Sequence, residues 1–198
     1  MKKIIIRQIQ EADVPAVLGI YTPYITQEAV SFELEAPSAC EFKNRVETIS
    51  AEYPYLVCVI DGKIAGYAYA YKQRERAAYQ WNAELSVYID KSYHRRGIGR
   101  AFYHALIDIL KLQNIKTVYG GVAVPNPGSE QLHESMGFEK LVVYRNVGYK
   151  CGAWRDVAWF EKSIGDYEYE PKPFAPITEI NKSSAYEIMC KCCDKIKP

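Results

Sequence analysis

The sequence lacks a long hydrophobic run, and this absence argues against a membrane-spanning helix. Such a helix needs about 18 or more consecutive apolar residues, and no stretch of that length occurs in the 198 residues. The first ten residues, MKKIIIRQIQ, hold a basic pair but too short an apolar stretch for a secretory signal peptide. We therefore expect a cytoplasmic protein without a membrane partner.

The chain also lacks an excess of either charge. It contains 25 basic and 24 acidic residues, and 48% of its residues are hydrophobic. That composition supports a packed core and gives no overall reason to expect nucleic acid as a partner. Any site for an anion must therefore be local.

Cysteine is sparse, and its spacing is not that of a disulfide framework or a zinc site. Of six cysteines, Cys40, Cys58 and Cys151 are isolated, and the others lie in CKCC at positions 190–193. A zinc site of that kind needs a second cysteine pair at a suitable distance, and the sequence offers none. We therefore expect reduced thiols and no bound metal.

What the chain does contain is a regular succession of strand and helix patterns. YPYLVCVIDGKIAGYAYAY has the form of a hairpin that turns at Asp61-Gly62, and residues 39–52 carry an apolar stripe at helical spacing. In YQWNAELSVYID, apolar and polar residues alternate as in a strand with one buried face. Residues 102–110 follow the spacing of an amphipathic helix. The succession predicts an α/β protein.

The texture changes after residue 164, which we take as the end of the main domain, residues 1–164. The segment DYEYEPKPFAPITEINK is rich in proline and has no clear period. SAYE at Ser184–Glu187 then has the form of a helix-capping box. We expect residues 165–198 to form an extension with an extended segment and a short helix.

The stretch SYHRRGIGRAF, between the alternating strand and the amphipathic helix, predicts an anion site. Free main-chain N–H groups and the helix dipole gather at a helix start, and glycine lets a ligand approach the backbone closely. Arginine side chains add formal charge, so the turn suits a phosphate or diphosphate. Its residues are Arg95, Arg96, Gly97, Ile98, Gly99 and Arg100.

Two familiar phosphate loops do not fit this turn. A Walker loop ends in Gly-Lys-Ser/Thr, whereas Gly99 is followed by Arg100-Ala101. A dinucleotide fingerprint needs a third glycine where this chain has Phe102, and it belongs to the first strand–helix unit. A glycine-rich connection with solvated arginines remains the alternative.

HRRGIG resembles the coenzyme A diphosphate loop, Q/R-x-x-G-x-G/A, of the GCN5-related N-acetyltransferases. It departs from that pattern at His94, where the family has Gln or Arg. VSFE, YQWNAELSVYID, NPGSEQLHESMGFE and VGYKCGAWRDVAWFEK resemble the phosphinothricin acetyltransferase branch, and the likeness covers residues 3 to about 163. The resemblance implies the acyl-CoA N-acyltransferase fold, a mixed, mostly antiparallel central sheet with flanking helices. It also implies acetyl-CoA as co-substrate and a homodimer.

Two residues are candidates for proton transfer. Glu84 lies on the polar face of its strand, where a carboxylate could take a proton from the acceptor amine directly or through water; a solvated strand-face glutamate is the alternative. The resemblance places His133 where many relatives carry a tyrosine that acts as general acid. The alternative for His133 is a histidine on a helix surface.

The coenzyme is expected to contact the main chain of the strand before the turn, the turn itself and the start of the next helix. Asn126 is placed to cap that helix, and its amide could also bond the pantetheine arm. Beyond the turn residues, the expected contacts are Val87, Tyr88, Ile89, Asn126 and Ser129.

The acceptor is expected to be a small zwitterion whose carboxylate needs a cation. Arg74 and Arg76, in the loop YKQRERAAY, could grip it with two bonds, although a merely charged hairpin loop is the alternative. Phe32, Tyr79 and Tyr149 are candidates for the apolar wall of the pocket. Trp154 and Trp159 are expected in the core or in a dimer contact.

The sequence therefore predicts an acetyl-CoA-dependent N-acetyltransferase for the α-amino group of a small amino acid or analogue. The resemblance implies acceptors such as phosphinothricin, methionine sulfone and methionine sulfoximine. It also implies that the amine attacks the thioester directly. Two alternatives stay open: an enzyme that acetylates a polyamine or a protein N-terminus, and a non-catalytic regulator that binds acyl-CoA.

Overall fold

A seven-stranded mixed sheet organises the chain in the computed structural model, which describes residues 3–197. Its order is β1-β2-β3-β4-β5-β7-β6, and only the β4–β5 pair is parallel. The strands are β1 Ile4–Gln8, β2 Tyr55–Ile60, β3 Lys63–Lys72, β4 Asn82–Ile89, β5 Thr117–Val124, β6 Glu139–Lys150 and β7 Ala153–Ser163. The expected mixed, mostly antiparallel sheet with flanking helices is confirmed.

Five α-helices flank the sheet within the described residues. They are α1 Val14–Thr26, α2 Ala39–Glu52, α3 Ile98–Leu112, α4 Pro127–Ser135 and α5 Lys182–Cys193. The limits of α2 follow from a capping box, because the Ser38 side chain accepts from the Glu41 N–H while Glu41 bonds back to Ser38. The β2–β3 turn has positive φ at Asp61 (49°) and Gly62 (80°), as the Asp-Gly pair predicts.

Alternation along β4 separates the two faces of the sheet. Ala83, Leu85, Val87 and Ile89 pack toward α3, whose apolar stripe is fully buried. Glu84, Ser86 and Tyr88 share the other face, and Tyr88 packs there among residues of α1 and α2. The polar face predicted for this strand is therefore the one that α1 and α2 cover.

The strands β4 and β5 are joined only at one end. Their pairing runs from Asn82–Thr117 to Glu84–Tyr119 and then stops. Beyond Glu84, β4 continues to Ile89 beside β3, and β5 continues to Val124 beside β7. Main-chain groups on the facing edges thus have no strand partner, and an opening separates the two strands beside α3.

The chain after β7 returns across the sheet end and packs on the α3 side. Gln113 Nε2 donates to the carbonyls of Glu52 and Ala175, which fixes the extended segment. The helix α5 then packs on α3 and β1, with Ala185, Met189 and Cys192 buried. The capping box predicted at Ser184–Glu187 is wrong.

The cap of α5 lies three positions earlier than expected. The Asn181 side chain accepts from the Ser184 N–H at 3.0 Å, and the helix begins at Lys182. Asn is as good an N-cap as Ser, and the Ser184 N–H is already bonded in the observed start.

Two absences hold for residues 3–197. No helix there is both long and apolar enough to cross a membrane. No group of three or more histidine, cysteine, aspartate or glutamate side chains in that range is arranged to hold a metal ion.

Candidate active site

A strained turn connects β4 to α3. After Ile89 comes a single 3-10 turn, Lys91–Tyr93, and α3 begins at Ile98 with Gly97 as its N-cap. Two turn residues have positive φ, Arg95 at 61° and Gly97 at 85°. Left-handed residues alternating in this way turn successive N–H groups toward one concavity, which is the geometry of an anion-binding nest.

The N–H groups of this turn are free of protein acceptors. From Arg95 to Arg100, none donates a hydrogen bond to another group within residues 3–197, and the first paired amide is that of Ala101, bonded to the Gly97 carbonyl at 3.0 Å. Unpaired amides at a helix start carry partial positive charge. The turn therefore offers a ready set of donors to an anion.

The arginines of the turn have no acidic partners. Within the described residues no carboxylate oxygen lies within 4.0 Å of Arg95, Arg96 or Arg100. Arg96 lies 5.0 Å from the Tyr93 ring centroid, and Arg100 donates to Ser135 Oγ at 3.0 Å. No carboxylate in the part of the chain that the structure describes compensates the positive charge of these three side chains, which favours a bound anion.

His94, the residue that departs from the family pattern, links the turn to neighbouring elements through its imidazole. Its Nε2 lies 3.0 Å from the Ile89 carbonyl and 3.2 Å from the Tyr24 hydroxyl. Tyr24 donates to the same carbonyl at 2.6 Å. The imidazole thus ties the turn to α1 and to the end of β4.

Val87, Tyr88 and Ile89 form the part of β4 that borders the opening toward β5. Their main chain pairs with β3 on one side only. The Tyr88 ring is held on the opposite face, at 4.8 Å from Tyr21 and 5.4 Å from Tyr24 between centroids. Main-chain groups at this position could hold an extended ligand as an added strand is held.

Glu84 lies at the point where β4 and β5 separate. Burial raises the pKa of its carboxyl above the ordinary value, and a hydrogen bond from Tyr71 offsets part of that rise. No lysine, arginine or histidine nitrogen of residues 3–197 lies within 4.0 Å of its oxygens. A half-buried carboxylate without a cation nearby is costly for folding and typical of a functional site.

A band of tyrosines surrounds Glu84 on its face of the sheet, and sequence reasoning missed it. In register, Tyr71 stands opposite Glu84, Tyr69 opposite Ser86 and Tyr67 opposite Tyr88. The Tyr69 ring stacks at 4.8 Å on Tyr55 of the next strand. The available signal was the alternation GYAYAY in a chain with 17 tyrosines.

His133 lies inside the protein, with 3% of its surface exposed. Its Nδ1 donates to the Ser129 carbonyl at 2.8 Å, which leaves Nε2 as acceptor for the Tyr103 hydroxyl at 2.8 Å. Burial lowers its pKa, so the neutral ring is favoured. Gly120 makes the room, because a Cβ there would overlap Nε2 of His133.

This environment adds a condition to the expected role of His133 as a proton donor or acceptor. Both ring nitrogens already have partners in the protein, so direct transfer requires one of these bonds to break. Tyr103 is buried too; burial is the main cause of its raised pKa, and the Glu84 charge adds to that rise.

Asn126 and Ser129 mark the start of α4, next to the end of β5. The Asn126 side chain caps the helix by accepting from the Ser129 N–H at 3.2 Å, as predicted. Its amide nitrogen makes no hydrogen bond within residues 3–197. That donor is free for a ligand in the opening between the strands.

The expected acceptor residues come from two separate places. Arg74 and Tyr79 lie in the β3–β4 connection, where the guanidinium is 5.6 Å from the ring centroid. Burial is the main cause of the raised pKa of Tyr119, the register partner of Glu84, and the Arg74 charge acts against that rise. Arg76 is exposed at the start of the same turn.

Phe32 lies instead on the β6–β7 hairpin. Its ring covers Gly148, where a Cβ would overlap it. Lys150 holds the flanking backbone by donating to the carbonyls of Ser31 and Glu33, and it is 7% exposed. No sequence signal marked Lys150, because its partners are more than a hundred residues away.

The outer face of the β6–β7 hairpin is apolar and exposed. Tyr149 and Trp154 pack edge to face at 5.5 Å, and each is at least 60% exposed. Trp159 is instead partly buried and lies against Gly121. The other exposed apolar residues of this hairpin are Leu141, Val142, Tyr144 and Val147.

Comparison with known proteins agrees with the geometry. The acetyltransferase (GNAT) domain family matches residues 6–159. Phosphinothricin N-acetyltransferase of Streptomyces viridochromogenes is 34% identical over 88% of this chain and 95% of its own length. The L-methionine sulfoximine/L-methionine sulfone acetyltransferase of Salmonella typhimurium is 26% identical over 82% of this chain and 95% of its own.

A solved structure shares the whole arrangement. The phosphinothricin acetyltransferase from Sinorhizobium meliloti, determined in complex with acetyl-CoA, superposes with a TM-score of 0.82 at 28% identity. The match covers 92% of this chain and 98% of that one. The segment after residue 159, which includes α5, lies outside the range matched by the family.

Proposed function

The chain belongs to the GNAT acetyltransferase family, in the branch of the phosphinothricin N-acetyltransferases, and on that premise we propose its reaction. It transfers the acetyl group of acetyl-CoA to the α-amino group of a small amino acid or analogue. Phosphinothricin, methionine sulfone and methionine sulfoximine are the acceptors that the names of its relatives suggest.

The turn Arg95–Arg100 carries this proposal. Its unpaired amides and three arginines without acidic partners fit a diphosphate, and the opening beside Val87–Ile89 fits an extended pantetheine arm. Asn126 follows the end of β5, and its amide nitrogen, which has no partner within residues 3–197, would bond the same arm. Ser129 lies beside it on α4.

Acetyl-CoA, when bound, supplies an acetyl group activated as a thioester. Glu84 takes the proton of the acceptor ammonium, directly or through water, and the freed amine nitrogen attacks the thioester carbonyl carbon. The C–N bond forms and the C–S bond breaks, the attacking nitrogen gives up its second proton, and the coenzyme thiolate takes up that proton directly or through water. The raised pKa of Glu84 brings this base closer to the amine in proton affinity than an exposed glutamate.

Two further groups assist the transfer. Main-chain N–H groups of Val87–Ile89 stabilise the oxygen of the thioester carbonyl as negative charge develops on it. His133 orients the Tyr103 hydroxyl through the 2.8 Å bond to Nε2. Because both ring nitrogens of His133 are already bonded within the protein, His133 acts as a positioning residue. Direct proton transfer by His133 would require its bond to Tyr103 to break.

The acceptor carboxylate is gripped by Arg74 or Arg76. Arg74 has the stronger case, because its guanidinium lies 5.6 Å from the centroid of the Tyr79 ring, whereas the exposed Arg76 contributes only a main-chain bond, from the Tyr79 N–H to its carbonyl. Phe32 and Tyr79 border the pocket from its two sides. A guanidinium matches a carboxylate or phosphinate with two bonds.

The test is thiol release from acetyl-CoA with a panel of acceptors. Phosphinothricin, methionine sulfone and methionine sulfoximine should be acetylated, and polyamines and peptides should not. Activity confined to polyamines or peptides would favour the alternative, a site for another amine, although an arginine-lined loop repels a polyamine. Binding of acetyl-CoA without acetylation of any amine would favour the regulator.

A homodimer is part of the same proposal. The exposed apolar face of the β6–β7 hairpin would be covered by a second copy, because a patch of this kind on a soluble domain marks an interaction site. Light scattering should give twice the chain mass. A Trp154→Lys variant that stays dimeric would place the contact elsewhere.

A further inference from the structure

The segment after α5 runs directly behind the coenzyme turn. The Lys197 N–H donates to the Arg96 carbonyl at 2.8 Å. The Lys195 carbonyl oxygen lies 2.9 Å from the position that a Cβ on Gly97 would occupy. Two successive residues of the turn thus contact residues almost a hundred positions further along the chain.

These contacts are anchored in the core. Ile196, between the two lysines, is only 5% exposed, and Cys192 one turn earlier is 3% exposed. Both belong to the same hydrophobic core as α3. The segment therefore has a fixed position relative to the helix that starts at the turn.

The lysines add charge next to the arginines. Lys195 and Lys197 are exposed, and within residues 3–197 neither has a carboxylate oxygen within 4.0 Å. Burial is the main cause of the lowered pKa of His104 on α3, and the positive charge of Lys195 lowers it further. Positive charge therefore extends from the turn onto the tail.

We propose that residues Lys195–Lys197 are a positioning element for coenzyme binding: they hold Arg96 and Gly97 in the conformation that presents free amides to the diphosphate. The two ammonium groups add a longer-range attraction for the phosphates. This inference rests on the proposed function, since it assumes that the turn binds acetyl-CoA. It assigns a role to the tail, which lies outside the matched family range.

The backbone contact can be removed separately from the charge. Lys197→Pro deletes the N–H that bonds Arg96, while Lys197→Ala keeps the N–H and removes only the ammonium group. A stop at position 195 removes both contacts. Lys182→Ala, at the exposed start of α5, is the matched control for loss of one lysine.

Calorimetry with acetyl-CoA measures the effect on the full chain and on each variant. Loss of one hydrogen bond should weaken binding by about three- to tenfold in Lys197→Pro, with a larger loss in the shortened chain. Lys197→Ala should lose about twofold or less, and this loss should vanish at high salt. At saturating acetyl-CoA, kcat should not change, and only the KM for acetyl-CoA should rise.

Two outcomes have distinct meanings. If the Lys197→Pro and shortened chains melt as folded proteins and bind acetyl-CoA as tightly as the full chain, the positioning role is overturned. If the full chain itself binds no acetyl-CoA, the proposed function fails first. Equal losses in Lys197→Pro and Lys197→Ala would contradict the backbone role, since charge alone would then explain both.

Discussion

The proposed coenzyme side of this protein consists mainly of main-chain groups, whereas the proposed acceptor side consists of side chains. On the coenzyme side, the donors are main-chain amides of one short turn, held by two left-handed residues. On the acceptor side, Glu84, the tyrosine band and the Phe32 loop are side chains from distant parts of the sequence. A backbone site can be encoded locally, whereas a side-chain site needs the completed fold.

The comparison predicts that damage on one side leaves the other intact. Acceptor-side substitutions should change chemistry or acceptor affinity without affecting acetyl-CoA binding. Coenzyme-side substitutions should do the reverse. The variants below are ordered from the largest expected effect to the smallest.

Glu84→Gln should reduce kcat by about 100-fold or more, because it removes the base and keeps the shape. Calorimetry should find acetyl-CoA binding unchanged. The melting temperature at pH 7 should rise, since a group whose pKa is raised on folding destabilises the protein above that pKa. A loss of acetyl-CoA affinity equal to the loss of kcat would contradict the expectation that acceptor-side substitutions leave coenzyme binding unchanged.

The pH profile sharpens the assignment of Glu84. In the proposed mechanism its carboxylate form is the base, and burial raises its pKa, so kcat/KM should fall as the pH drops through a value above that of an ordinary glutamate. The fall should follow a single protonation. In Glu84→Gln the residual activity should lose this acid limb, and its persistence would assign the limb to another group.

Gly97→Ala should weaken acetyl-CoA binding by about tenfold while the KM for the acceptor stays the same. The new Cβ meets the Lys195 carbonyl at 2.9 Å, and alanine is strained at a φ of 85°. Gly62→Ala is the matched control, because Gly62 has a similar φ of 80° in an open hairpin turn. If both variants lose affinity equally, the turn has no special role.

Lys150→Met should raise the KM for the acceptor by about three- to tenfold and leave acetyl-CoA binding unchanged. It removes the donor to the carbonyls of Ser31 and Glu33, which positions the Phe32 loop. Lys140→Met, on the same strand but exposed and paired with Glu130, is the control. Steady-state kinetics with both substrates varied will detect the difference.

Much of the fold could be predicted from the sequence. The limits of α2, the Asp61-Gly62 turn and the stripe of α3 depend on local rules, and all three are confirmed. The start of α5 was wrong because Asn181 and the Ser184 box compete as caps, and local sequence does not choose between them.

The site was predictable only where the backbone makes it. The glycines and arginines of the six-residue turn are enough to predict an anion site made by main-chain amides. The burial of His133 could not be foreseen, since it depends on Gly120 of another strand and on Tyr103 of another helix. The tyrosine band could not be predicted either, because the register of β3 against β4 decides which tyrosines lie beside Glu84.

The contact between Gly120 and His133 has a consequence for how this sequence can change over generations. A methyl group at position 120 would overlap the imidazole at position 133, so we expect the two positions to change together. Descendants that gain alanine at 120 must also exchange the imidazole for something smaller. An alignment should therefore reveal paired substitutions there, in a strand and a helix that no local rule connects.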